Sequence, residues 1–301
     1  VKACCFFFIL KNSVISLRKK FHCKEFIIDL GGNEMLYVSG VLIVFYLYCI
    51  VPRIIHRPDY SKLKGCRFAH RGLHNKKVVV PENSMPAFER AVELGYGIEL
   101  DIQLTRDNKV VVFHDFDLRR MCGVDKRVCD LTFKELQKYL LLDSEQTIPL
   151  FSDVLKLVNG KVPLLVELKS KSWKDLIAPY ANDILKEYKG EYFIQCFHPL
   201  TLRWYKKHRP DVIRGQLAES YHRQKTIIRE IGSFLQQHLI FNFVCRPDFV
   251  SYNWRHQKEL SLNVCHKVFH CPTAAWTVRS KEQKAKAEKR FDVIIFENFY
   301  I

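Results

Sequence analysis

The feature that most constrains this chain is a series of short apolar segments alternating with helical patterns from Cys66 to the C-terminus. CRFAH, YGIELDIQL, VPLLVELK, YFIQCF, IRGQLA, PDFVSY, TAAWTV and DVIIFE are apolar nearly throughout, as strands buried on both faces are. Between them, helices are predicted over residues 84–94, 132–139, 151–158, 173–188, 199–208, 224–238 and 281–289. A ninth run, KVVVFHD, is separated from IELDIQL only by TRDN. That is too short for a parallel crossover, so the run must return antiparallel as a hairpin. With it set aside, eight parallel strands over residues 66–301 predict a (β/α)8 TIM barrel with a β-hairpin extension of the second strand. A doubly wound sheet is the alternative, because periodicity does not reveal closure. The hairpin turn is centred between Asp107 and Asn108, so Asp101 and His114 are expected to face each other across the ribbon.

Upstream of the barrel, MLYVSGVLIVFYLYCIV, residues 35–51, carries no charge over seventeen residues, near the lower limit for spanning a bilayer. Pro52 and Arg53 end it. A buried core helix or a signal h-region is the alternative, but an h-region is usually shorter and ends in small residues, whereas Tyr37, Tyr46 and Tyr48 flank this one like an interfacial belt. Residues 35–52 are therefore expected to form one N-terminal transmembrane helix, followed by a basic linker over 53–65. No methionine precedes Met35, and GGNE just before it is compatible with a purine-rich ribosome-binding sequence. Met35 is accordingly expected to be the natural start, with residues 1–34 an upstream leader. Arg53, His56, Arg57, Lys62 and Lys64 then place the charge on the C-terminal flank, which predicts a single-pass membrane protein with its catalytic domain on the cytoplasmic side.

A formal net charge of +16 favours acidic partners, among them nucleic acid, anionic lipid and phosphorylated small molecules. No compact Arg/aromatic recognition motif accompanies it, so no nucleic-acid partner is expected. The eleven cysteines form no C-x-x-C pair, and several lie in apolar runs such as FIQCFH, where a thiol packs as a small hydrophobe. Neither zinc nor a disulfide framework is indicated, and a reducing compartment follows.

In a barrel, chemistry gathers at the C-terminal ends of the strands. Those ends hold His70 and Arg71, Glu99 and Asp101, His114, and Glu167 and Lys169. Glu99 and Asp101 stand at i and i+2, so both leave their strand on one face. With Glu167 they make an all-oxygen set suited to a hard divalent cation, Mg2+ or Ca2+. The competing reading pairs each acid with a cation such as Arg106 or Lys169, but acids inside GIELDI and LLVELK are hard to explain as surface residues. Of the two histidines, one suits deprotonation of a nucleophile and the other protonation of a leaving oxygen, while Arg71 and Lys169 suit an anionic phosphate. His74 reads as a solvated loop residue. PENSMPAF reads as a helix entry, with Asn83 or Ser84 as cap and Ala87, Phe88 and Ala91 facing the barrel; Asn83 is also placed to orient a site residue, but capping is the sufficient explanation. Trp276 suits an apolar wall for the substrate, and barrel packing explains it about as well.

The ordered set HRG, PENS-x-x-AF, G-x-x-x-ELD, T-x-D, VVFHD and VELK resembles the glycerophosphodiester phosphodiesterases from Cys66 to the C-terminus. The resemblance implies a (β/α)8 barrel, a divalent cation and hydrolysis of glycerophosphodiesters to sn-glycerol 3-phosphate and an alcohol. By position it implies His70 and His114 as the acid/base pair, Glu99, Asp101 and Glu167 as metal ligands, and Arg71 and Lys169 as phosphate contacts. The family's small insertion after the hairpin corresponds to residues 116–147. Two departures stand out: the last strand ends IIFENFYI where many members have Thr-Asp-x-Pro, and KRFDVII lacks the glycine that commonly precedes that strand. A small-molecule or lipid-derived phosphodiester is the expected substrate. A lysophospholipase D-like activity is the alternative within enzymes, and a noncatalytic phosphate-binding membrane module the alternative outside them.

Overall fold

The computed structural model describes residues 32–75, 80–170, 177–220 and 227–301. Eight parallel strands close on themselves: β1 (Arg67–His70), β2 (Gly97–Leu104), β4 (Leu164–Leu168), β5 (Tyr192–Cys196), β6 (Arg214–Ala218), β7 (Phe249–Asn253), β8 (Thr273–Val278) and β9 (Val293–Phe296). β1 pairs in parallel with β9 on one side and β2 on the other, and that double pairing excludes the open, doubly wound sheet. β3 (Val110–Val112) runs antiparallel beside β2 as the expected hairpin arm. All nine apolar runs are strands because burial on both faces leaves no place for the polar stripe a surface helix needs.

Helices alternate with the strands: α2 (Met85–Glu93), α5 (Phe151–Val158), α6 (Ile177–Leu185), α7 (Pro199–His208), α8 (Ile227–Gln237), α10 (Leu260–Lys267) and α11 (Lys281–Ala287). The starts of the helices expected over 173–188 and 224–238 lie outside the described residues. Between β7 and β8 the sequence pattern gave no helix, and α10 stands there. Its LSLNVCHK interleaves polar and apolar positions, so the buried stripe is narrow, Ser261, Leu262 and Cys265. The short α9 (Asn242–Cys245) precedes β7. Residues 116–147 carry α3 (Arg119–Cys122) and α4 (Phe133–Leu136), the latter opened by a Thr132/Glu135 capping box. Val111, Phe113, Leu118, Met121, Val128, Leu131, Leu136, Leu141 and Ile148 give this segment and the hairpin a small core of their own.

The hairpin register differs by one residue from the expected one. Gln103 opposes Val111 and the Phe113 amide donates to the Asp101 carbonyl, so Asp101 faces Phe113 and not His114. The loop has an odd length: Thr105 and Lys109 close it, the Asn108 amide donates to the Thr105 carbonyl, and Asn108 takes φ +57°. A type I turn followed by one left-handed residue makes a three-residue hairpin loop, where a symmetric count assumes an even one.

The segment expected to cross a membrane as residues 35–52 is helical, as α1 (Gly32–Ile50), but no helix of the described residues is long and apolar enough to cross a membrane. Its end is committed elsewhere. Cys49 and Ile50 are buried, Asn242 Nδ2 donates to the Ile50 carbonyl at 2.8 Å, and Arg246 Nη1 donates to the carbonyls of Tyr48 and Val51. A division into compact units falls between Phe45 and Tyr46, so these last turns belong with the barrel. Earlier in α1, Met35, Leu36, Tyr37, Val41, Val44 and Phe45 are exposed. The segment expected as a basic linker is strapped down: Arg57 Nη2 donates to the Phe269 carbonyl, and Leu63 is fully buried with the aromatic residues of the lumen.

Period-2 alternation sorts each strand. On β2, Ile98, Leu100 and Ile102 pack outward in the large core shared with the helices, leaving Gly97, Glu99, Asp101 and Gln103 for the lumen. The lower lumen is filled by Phe68, Leu165, Phe193, Ile213, Phe249, Ala274, Val293 and Ile295. Gly215 makes room there, since a Cβ at that position would collide with the Phe249 ring. Gly215→Ala should cost about 1–3 kcal/mol by overpacking. The loss reads as a lower Tm, and adding Phe249→Leu should recover part of it; an unchanged Tm for Gly215→Ala would contradict this packing.

Candidate active site

Two residues above the apolar lumen layer, the same alternation places polar side chains. His70 is paired in register with Glu99, Asp101 with Glu167, and Glu167 with Gln195. The predicted acids converge: Glu99, Asp101 and Glu167 each offer a carboxylate oxygen, all within 4.8 Å of one another, and all three residues are buried. Oxygens gathered this closely are a set that could hold one metal ion, and the set contains neither sulfur nor nitrogen, so its chemistry fits a hard divalent ion.

Buried carboxylates this close repel, and the neighbours answer that repulsion. Lys169 Nζ lies 2.7 Å from Glu167 and 3.4 Å from Asp101. Burial works against its charge, but the two carboxylates outweigh it and raise its pKa. The pairing of acids with Lys169 is thus present together with the metal-type geometry, whereas Arg106 is occupied by Glu135. Burial also pushes Asp101 up, but Lys169, His114 and Arg71 together hold it below the usual carboxylate range. Glu99 goes the other way: burial, with Asp101 and Glu167 beside it, raises it well above the ordinary value. It accepts from the Arg71 amide at 3.1 Å and from Gln195 Nε2 at 3.2 Å.

The His-Arg-Gly turn delivers that amide. Arg71 and Gly72 both take positive φ, +57° and +78°, and a Cβ on Gly72 would meet Ala87 at 2.9 Å. Only glycine meets both demands. Arg71 Nη1 then bonds Glu82 at 2.7 Å, and its Nε lies 3.4 Å from Asp101. Asn83 is no helix cap: its Nδ2 donates to Asp101 Oδ2 at 3.0 Å, and Ser84, the residue at the cap position, makes no side-chain cap bond. Ala87, Phe88 and Ala91 are buried as expected.

The histidines flank the acids. His70 Nε2 lies 4.0 Å from Glu99, its Nδ1 is 3.1 Å from Glu297, and burial pushes the imidazole down to about 4. His114 Nδ1 meets Asp115 at 2.6 Å. Asp115 is held in turn by Arg120 of α3, whose guanidinium also grips Glu82 with two bonds of 2.6 and 2.9 Å. One arginine from the inserted segment therefore ties the His114 wall to the Arg71 wall. His74 is not a solvated loop residue: its side chain is buried and Nε2 lies 3.8 Å from Glu297. Lys76 and Lys77 lie outside the described residues. Trp276 packs edge-on against Phe197, ring centroids 5.8 Å apart.

Sequence reasoning missed Glu82, Asp115, Arg120, Gln195 and Glu297. Gln195 in YFIQC and Glu297 in DVIIFE carried the signal that exposed Glu99, a polar residue inside or closing an apolar strand. Glu82 and Arg120 gave none, because their roles rest on contacts between segments distant in sequence.

Known proteins place this geometry. Residues 70–291 match the profile of the Glycerophosphoryl diester phosphodiesterase family. A lysophospholipase D of Rattus norvegicus is 29% identical over 168 residues, 52% of this chain and 52% of the relative. A glycerophosphodiester phosphodiesterase of Caldanaerobacter subterraneus is 35% identical over 172 residues, 52% of this chain and 68% of the relative. The chain spans about half the length of the lysophospholipase D relatives it matches. A phosphodiesterase of Oleispira antarctica, solved in complex with the product sn-glycerol-3-phosphate, shares the fold with TM-score 0.62 at 19% identity, covering 78% of this chain and 93% of that one. A glycerophosphodiester phosphodiesterase of Thermotoga maritima does so with TM-score 0.56 at 25% identity, covering 76% and 93%. With most of its length inside the family match, the chain belongs to the glycerophosphoryl diester phosphodiesterase family.

Proposed function

We propose that this chain hydrolyses glycerophosphodiesters to sn-glycerol 3-phosphate and an alcohol. The observation that carries the reading is the convergence of Glu99, Asp101 and Glu167 within 4.8 Å of one another, with His70 beside them. Glu99, Asp101 and Glu167 would hold a divalent cation, Mg2+ or Ca2+, which when bound supplies positive charge for the phosphate oxygens. Arg71 and Lys169 add fixed positive charge at the same place. His70 and His114 divide the proton transfers, one taking a proton from the water that attacks phosphorus and the other giving one to the leaving alcohol oxygen. In each ring Nδ1 is engaged by a carboxylate, leaving Nε2 for that work.

A lysophospholipase D-like reaction on lysophospholipids is the second reading. It is supported by the similarity to the rat lysophospholipase D and by the Phe197–Trp276 pair as an apolar wall. Products separate the two: lysophosphatidylcholine should yield lysophosphatidic acid and choline only under the second.

Glu99→Ala and His114→Ala should each reduce release of sn-glycerol 3-phosphate from glycerophosphocholine by about 100-fold or more. Full activity in both variants would end the assignment. Mg2+ or Ca2+ at about 100 times its Kd should add about 2.7 kcal/mol of stability by mass action. The wild-type protein should then melt higher with the ion than in EDTA, and Glu167→Gln should lose most of that rise. A wild-type Tm indifferent to both ions would count against the cation site.

A further inference from the structure

The last strand departs from the family's usual ending, and the residue at that departure, Glu297, stands against His70. Its amide donates to the Val278 carbonyl at 2.9 Å, which anchors it where β8 and β9 end. Its carboxylate is held from several sides: Arg279 Nη2 reaches Oε2 at 3.0 Å, Asn298 Nδ2 reaches Oε1 at 3.0 Å, and His74 Nε2 lies 3.8 Å from Oε1. His70 Nδ1 sits 3.1 Å from the oxygen that Arg279 also binds. Burial opposes the charge on Glu297, but His70, Arg279 and His74 outweigh it and keep the group well below the usual carboxylate range.

An ionised carboxylate only accepts hydrogen bonds, so the ring nitrogen facing it must carry the hydrogen. We propose that Glu297, pinned by Arg279, is the positioning residue for His70: it fixes the ring's orientation and its Nδ1–H tautomer, so that the Nε2 lone pair faces the acidic cluster. This rests on the phosphodiesterase reading for its catalytic consequence, but not for the tautomer. Asp115 and Arg120 hold His114 in the same way, so both histidines are set by a carboxylate that an arginine clamps. The two clamps come from different places, the inserted segment for His114 and the ends of the last two strands for His70.

The test combines kinetics with imidazole 15N–1H spectra of the full chain at neutral pH, with divalent cation present. Wild-type His70 should show hydrogen on Nδ1. Glu297→Ala should move the population toward Nε2–H and lower kcat for glycerophosphocholine about 10- to 100-fold, with KM changed less than about twofold. Glu297→Asp should restore part of kcat. Wild-type His70 bearing its hydrogen on Nε2, or Glu297→Ala with unchanged kcat and spectrum, would overturn the proposal. The spectrum of the wild-type protein decides even if a variant fails to fold. If the wild-type protein releases no sn-glycerol 3-phosphate, the phosphodiesterase reading fails, while the spectra still decide whether Glu297 sets His70.

Discussion

Three buried carboxylates within 4.8 Å of one another are the constraint around which the barrel mouth is organised. In a setting of low effective dielectric, like charges at that distance strongly oppose each other unless positive charge or directed donors stand between them. Each neighbour of the cluster supplies one or the other: Lys169 and Arg71 give charge, and Asn83, Gln195 and the Arg71 amide give hydrogen bonds. The residual imbalance appears as opposite shifts of two acids on the same strand face, Glu99 up and Asp101 down. A dication among these oxygens would relieve the same repulsion.

That arrangement is delivered by alternation along the strands. β1, β2, β4 and β5 each turn one residue in two toward the lumen, apolar or glycine near the start and polar two positions on. Register does the rest, setting Asp101 beside Glu167 and His70 beside Glu99. The helices outside need only cover the apolar outer face.

Much of this was legible because it is local. The eight parallel runs, the hairpin arm and the acids at i and i+2 follow from chain spacing, and the structure places Glu99, Asp101, Glu167, His70 and Lys169 together as expected. What escaped depends on geometry that spacing does not encode. The hairpin register turned on one left-handed residue, Asn108. Asn83 read as a cap because its neighbours spell a helix start, yet its side chain turns to Asp101. Nor does spacing encode the end of α1, where Asn242 and Arg246, nearly two hundred residues away, bind the carbonyls of Ile50 and Tyr48. Arg120 could not be found by motif spacing alone, since it matters only once Glu82 and Asp115 stand side by side.

The aromatic layer beneath the acids has a bearing on traffic. Phe68, Phe193 and Phe249 with their aliphatic neighbours stopper the lumen, and glycines at 97 and 215 let the rings close it. Among the described residues that layer fills the barrel axis beneath the acids, so along the axis the acidic cluster can be approached only from the side of the strand ends.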